Sequence, residues 1–191
     1  MKEVRVYLAG PEVFLPNARQ QLDAKIALAR AAGFIPVSPG DLAIPKMPSK
    51  HETGLAISEI DERFMLSADA IIANLTPYRG HNADTGTCFE LGFMCALGKA
   101  AFAYTNVAAD HRARQHAHYS GAISPGADGR LRGADGLLIE DVEMIDNLMM
   151  HGGVVRRGGV VVVGDAPAGA ELTDLTAFRQ VLKVAAAKLL G

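Results

Sequence analysis

The chain has 191 residues (20.2 kDa), 49% hydrophobic and 21% charged, with a net charge of −2 and an isoelectric point near 6.3. That size suits one domain with a full core, and the balanced charge excludes the basic excess that nucleic-acid or anionic-membrane partners require. There is no apolar run of about 18 residues, no basic leader-like segment, and only two cysteines, Cys88 and Cys95, seven apart on one predicted helix; the expectation is a cytoplasmic protein with free thiols and no membrane span.

The opening VRVYLAGP reads as a short buried strand ended by Gly10 and Pro11. After Pro16, Asn17 can cap a helix to about Ala32, with Leu22, Ile26, Ala29 and Ala32 on one face and Gly33 as its stop. FIPVSP gives a second strand, and GDLAIPKMPSKHETG a proline-rich connection beside a site. From Ala56, the positions Ile57, Ile60, Phe64 and Ala68 predict another helix, followed by the buried strand AIIANLTP at 70–77. The loop YRGHNADTG leads into a helix from about Cys88 to Leu97, and AAFAYTN is a fourth strand. Residues 107–136, rich in Ala, Gly, His and Arg, read as an extended loop or flap. A short methionine-bearing helix within LLIEDVEMIDNLMMHGG, a fifth strand at VVVVGD and a C-terminal helix from about Thr173 to Leu190 complete the chain. Strands alternating with helices predict a single α/β domain over 1–191, a doubly wound (flavodoxin-like) parallel sheet of about five strands.

Ligands of such sheets sit beyond the carboxyl ends of the strands. That rule gathers Tyr7, Gly10, Pro11 and Phe14 with the stretch from Tyr78 to Glu90. In DTGTCFELG (84–92), two carboxylates lie six residues apart where a loop becomes a helix. Acids at helix starts are common caps, yet this pair also suits chemistry. Glu90, placed in the first helical turn, is favoured as the ionised form by the helix end, and a partly dry carboxylate is a nucleophile toward an electron-poor sugar carbon. Asp84 could stay protonated by sharing the pocket. A charged nucleophile beside a proton donor is the division of labour of retaining glycosyl transfer.

Four segments, in order and with matched spacing, extend this reading: YLAGPEVF (7–14), ISEIDERFMLSADAIIANLTPYRG (57–80), DTGTCFELGFMCALGK (84–99) and NLMM (147–150). Through them the chain, from its N-terminus to about residue 150, resembles a nucleoside 2-deoxyribosyltransferase. The resemblance implies an enzyme, a pentosyltransferase of nucleoside salvage that moves 2-deoxyribose between nucleobases through a covalent sugar–glutamate ester. It implies Glu90 as nucleophile, Tyr7 as the tyrosine orienting it, and Asp84 and Asp61 as acids that hold the base, Asp84 protonating it as it leaves. Gly10 and Phe14 fall in the sugar-binding loop. Asn147 and Met149 match residues lent across a subunit interface, which implies a homo-oligomer, a dimer or hexamer. The partners are deoxynucleosides and free bases, with no metal or cofactor. The Pro39–Gly54 connection should border the base, and the longer 107–136 segment would form a lid.

Other features carry blander readings. His111, His116 and His118 lack an acid or cysteine at ligand spacing and fit a solvated loop. Met144, Met149 and Met150 fit core or interface packing, and Cys88, near a helix start, would be somewhat reactive. The alternative function is an N-glycosidase hydrolysing 2′-deoxynucleoside 5′-monophosphates. Glu12, by adding negative charge beside AGP, argues against a phosphate, whereas Arg79 keeps it open. Weak hydrolysis is expected of the transferase when water is the acceptor. A non-enzymatic nucleotide-binding module would predict binding unaffected by loss of Glu90.

Overall fold

The computed structural model describes residues 3–39 and 46–191. Its main sheet is built from β1 (Arg5–Ala9), β2 (Ile35–Val37), β3 (Ala70–Asn74), β4 (Ala100–Thr105) and, after a separate two-stranded hairpin of β5 (Ser124–Pro125) and β6 (Leu131–Arg132), β7 (Val161–Val163). All pairings in the main sheet are parallel, in the order β2-β1-β3-β4-β7. The helices are α1 (Ala18–Ala31), α2 (Lys50–Ser67), α3 (Thr85–Ala96), α4 (His111–His118), α5 (Leu148–Val155) and α6 (Thr176–Leu189). This is the expected α/β architecture with a five-stranded parallel sheet flanked by helices.

Strand periodicity sorts the core into two layers. Val6, Leu8, Ala70, Ile72, Phe102 and Tyr104 point to one face, where Ile26 and Ala29 of α1 and Phe178, Val181, Leu182 and Ala185 of α6 cover them. Tyr7, Ala9, Ile71, Ala73, Ala101 and Ala103 point to the other, under Met65 of α2, Leu91, Met94 and Cys95 of α3, and Val154 of α5. The second face is built mostly of alanines, so its helices approach closely. Tyr7 is the large side chain on that face of β1, which aims its phenol at α3.

Several boundaries differ from the sequence reading for local reasons. Helix α2 begins at Lys50 instead of Ala56, because Ser49 is its N-cap: its Oγ accepts from Glu52 N (3.1 Å) and donates to Glu52 Oε2 (2.7 Å). Helix α3 begins at Thr85 instead of Cys88, since Asp84 is its N-cap and accepts from Thr87 N. The 107–136 segment, read as an extended loop, contains α4, capped by Asp110, and the β5–β6 hairpin. Helix α4 lacks an apolar stripe. Arg114 anchors it instead, donating to the carbonyls of His81 (2.8 Å) and Ala109 (2.7 Å). Residues 40–45 of the proline-rich connection lie outside the described residues. Among the described residues, no helix is long and apolar enough to cross a membrane.

Candidate active site

The strand order reverses between β1 and β3, β2 lying to one side of β1 and β3, β4 and β7 to the other, which is the switch point where an open parallel sheet leaves a crevice. A cavity of about 450 Å³ occupies it, lined by Gly10, Val13, Phe14, Pro39, Ile57, Ile60, Asp61, Asp84, Gly86, Thr87 and Glu90. Gly10 ends β1 and turns the chain into the short 3-10 segment Pro11–Phe14. A Cβ at Gly10 would meet Glu12 Oε2 at 2.0 Å and Asn74 Cβ at 3.0 Å, so the turn closes tightly over β3. Phe14, 54% exposed, stacks on Tyr78 with ring centroids 5.4 Å apart. The Arg79 guanidinium lies over both rings, 5.4 Å from Phe14 and 4.9 Å from Tyr78. Arg79 itself adopts φ 50°, a left-handed backbone unusual for a side-chain-bearing residue, at the turn out of the strand.

Tyr7 is fully buried, and its Oη donates to Glu90 Oε1 at 2.6 Å. Glu90 sits in the second turn of α3, one turn later than expected, because the helix starts earlier. Its electrostatics also differ from expectation. Burial pushes its carboxyl up to about 7; the Tyr7 hydrogen bond works downward, while the charges of Asp61, Asp84 and Glu12 add to the rise. The helix end, whose influence fades within a turn, does not hold Glu90 in the ordinary carboxylate range. Burial also raises Asp61. The Tyr7 phenol is raised by burial and by Glu90 beside it, so it stays a donor. Asp84 Oδ2 accepts from Thr87 N (2.9 Å) and Thr87 Oγ1 (3.1 Å). Capping and cavity lining therefore coincide in one side chain. What gathers here is three carboxyl groups, one phenol and an apolar wall, suited to a neutral ring-bearing ligand at an acid-rich reaction centre.

Gly10, Phe14, Asp61, Asp84 and Glu90 thus share the cavity, with Tyr7 behind Glu90. Asn147 and Met149 do not line it. Asn147 caps α5, its Oδ1 accepting from Met149 N (3.1 Å) and its Nδ2 donating to Glu140 (2.8 Å), and Met149 is 63% exposed on the molecular surface. None of residues 107–136 lines the cavity either. Val13 and Thr87 fall within the segments expected at the site, whereas Ile57 and Ile60 are new to it: their spacing signals a helix face but not that this face borders a cavity.

Two other expectations need correction. Glu12, expected to repel phosphate, is buried: its Oε1 accepts from Lys25 Nζ (2.8 Å), Asn74 Nδ2 (2.9 Å) and Tyr104 Oη (3.1 Å). Burial opposes its charge, but the charge and hydrogen bond of Lys25, with Asn74, hold it below its ordinary value. It presents no unpaired charge to the cavity. Cys88, expected to be reactive, is instead pushed up to about 11 by burial and by Asp146 and Asp84 nearby, and its thiol points at Met150 Sδ (2.9 Å).

Comparison with known proteins gives the chain a family. Residues 6–149 match the family model described as nucleoside 2-deoxyribosyltransferase. The chain is 32% identical over 195 residues to the uncharacterized protein C191.05c of Schizosaccharomyces pombe, covering 96% of this chain and 89% of that protein. It is similar in structure to a 2-desoxiribosyltransferase from Leishmania mexicana (29% identity, TM-score 0.59, covering 78% of this chain and 85% of that one). A conserved protein from Enterococcus faecalis V583 shares the fold over 96% of this chain and 99% of its own, at 17% identity and a TM-score of 0.59. With three quarters of its length matched, and the matched span carrying every residue of the cavity, the chain belongs to the nucleoside 2-deoxyribosyltransferase family.

Proposed function

We propose that the protein transfers 2-deoxyribose from one nucleobase to another, with Glu90 as nucleophile. The observation that carries this is the short Tyr7–Glu90 hydrogen bond at the wall of a cavity that also holds Asp61 and Asp84. The nucleoside enters with its base between Phe14 and the Ile57–Ile60 face of α2, and C1′ faces Glu90. As the C1′–N bond breaks, its electron pair stays on the base nitrogen, and Asp84 delivers a proton to the departing ring. Asp61 takes a hydrogen bond from the base edge. The oxocarbenium character left at C1′ is stabilised and then captured by the ionised Glu90 carboxylate as an ester. Tyr7 holds the Oε1 oxygen of Glu90, so that the other oxygen, which attacks, is fixed in direction. A second base then attacks C1′ from the face the first one left, Asp84 recovers its proton, and the ester bond breaks, giving net retention. Water in place of that base gives slow hydrolysis. Neighbouring subunits complete the site with Asn147 and Met149, which in one chain lie away from the cavity.

The test is base exchange. Incubation of 2′-deoxyinosine with adenine should yield 2′-deoxyadenosine, and Glu90→Ala should reduce that rate by roughly 10³-fold or more. Exchange that survives the substitution contradicts the reading.

The hydrolytic alternative, cleavage of a 2′-deoxynucleoside 5′-monophosphate, gains two supporting observations: Glu12 is neutralised by Lys25, and Arg79 lies over Phe14 on the cavity wall. It predicts faster loss of base from 2′-deoxyinosine 5′-monophosphate than from 2′-deoxyinosine, without an acceptor.

A further inference from the structure

We propose that Asp146 is a positioning residue for the reaction, holding the loop 81–84 so that Asp84 meets the departing base. This rests on the role of Asp84 as proton donor. Asp146 is fully buried. Its Oδ2 accepts from Ala83 N (2.9 Å) and from Arg114 Nη2 (3.1 Å), and its Oδ1 accepts from Asn147 N (2.8 Å). The same Arg114 donates through Nε to His81 O (2.8 Å). Two backbone groups of the loop, His81 C=O and Ala83 N–H, are thereby gripped from behind, immediately before Asp84. Tyr78 N closes the same loop onto Asn82 O at 2.9 Å.

Burying a charge pair gains little stability over apolar packing, because both ions lose hydration. A fold that only needed filling here would be served as well by an aliphatic residue. A carboxylate does something an aliphatic cannot: it accepts the Ala83 N–H one residue before Asp84 while neutralising the arginine that fixes His81. The placement has catalytic weight, since a misplacement near 1 Å at a reacting group costs about 10²-fold in rate. Asp146 also bonds the backbone of Asn147, the cap of α5. The loop of the chain's own cavity and the helix proposed to serve a neighbour's cavity therefore hang on one side chain. His111 adds a fourth contact: its Nδ1 lies 3.7 Å from Asp146 Oδ1 and has no hydrogen-bond partner.

The test separates proton delivery from general damage. 2′-Deoxyguanosine needs a proton for its base to leave, whereas N7-methyl-2′-deoxyguanosine, already cationic, releases a neutral base without one. Single-turnover base release is measured for the full-length protein and for D146N and D84N, with thermal unfolding as a check on folding. D146N should slow release from 2′-deoxyguanosine by about 10²-fold and from the methylated substrate by less than about fivefold. Equal slowing of both substrates would overturn the proposal. Discrimination by D84N but not by D146N overturns only the role of Asp146. Absence of discrimination in D84N overturns the proton-donor reading and this inference with it. Should D146N fail to fold, Arg114→Lys, which keeps the charge but loses the fork that spans Asp146 and His81, carries the test; it should show the same discrimination at about tenfold.

Discussion

Tyr7, in the middle of the interior strand β1, donates a 2.6 Å hydrogen bond to Glu90, 83 residues further along the chain. The bond ties one buried face of the sheet to the proposed nucleophile and works against the burial that pushes Glu90 up to about 7. Removing the hydroxyl with Tyr7→Phe should raise Glu90 further. The acidic limb of the pH–rate profile for base exchange should then move upward, with activity falling more at pH 6 than at pH 8.5. An unmoved limb would mean that Glu90 is not the group whose ionisation the profile reports.

Glu90 also bears on stability. Its ordinary value of 4.5 rises to about 7 in the fold, so the folded state binds the proton more tightly than the unfolded state does. That contribution is present below pH 4.5 and lost as pH rises through 7. Glu90→Gln, which can still accept from Tyr7, removes the buried charge. It should stabilise the protein at pH 8 by on the order of 2 kcal/mol and by much less at pH 4. Urea unfolding at the two pH values measures this, and equal effects at both would contradict the assigned shift.

The buried Lys25–Glu12 pair supports the turn that carries Gly10 and Phe14. Lys25→Met strands Glu12 beneath Tyr104 and Asn74 and should cost on the order of 3–5 kcal/mol. Glu12→Gln in the same chain should recover a large part of that loss, so the double variant unfolds well above the sum of the single effects. Additive losses would show that the pair does not interact as its 2.8 Å separation implies.

Crowding at Glu90 predicts a preference for deoxyribosides. A 2′-hydroxyl withdraws electron density from the developing oxocarbenium ion and must fit beside Glu90 and Tyr7. Inosine should therefore react at least roughly tenfold more slowly in kcat/KM than 2′-deoxyinosine. Comparable values for the two would place C1′ away from the assigned pocket.

Much of this was legible before the fold was known, for identifiable reasons. The apolar runs around Tyr7, Ile71 and Phe102 are buried on both faces and alternate with helices, as in a covered parallel sheet, and Glu90 and Asp84 stand where such a sheet binds ligands. What escaped was set by side chains acting on local backbone. The Ser49 cap draws residues 50–55 into α2 despite a proline-rich approach. Arg114 anchors a helix in a stretch without apolar period. Glu12 looked like surface charge because its partner Lys25, which sits on α1, is an unlikely core residue by composition. The upward shift of Glu90 escaped because position in a helix is visible in sequence while burial is not.

The most direct measurement is the mass of the intact protein after rapid acid quench with 2′-deoxyinosine and no acceptor base. The account predicts a fraction of the chain heavier by one deoxyribosyl unit, located by peptide mapping on Glu90, discharged on adding adenine and missing from Glu90→Ala. Rapid base exchange with no such adduct, or an adduct on another residue, would contradict it.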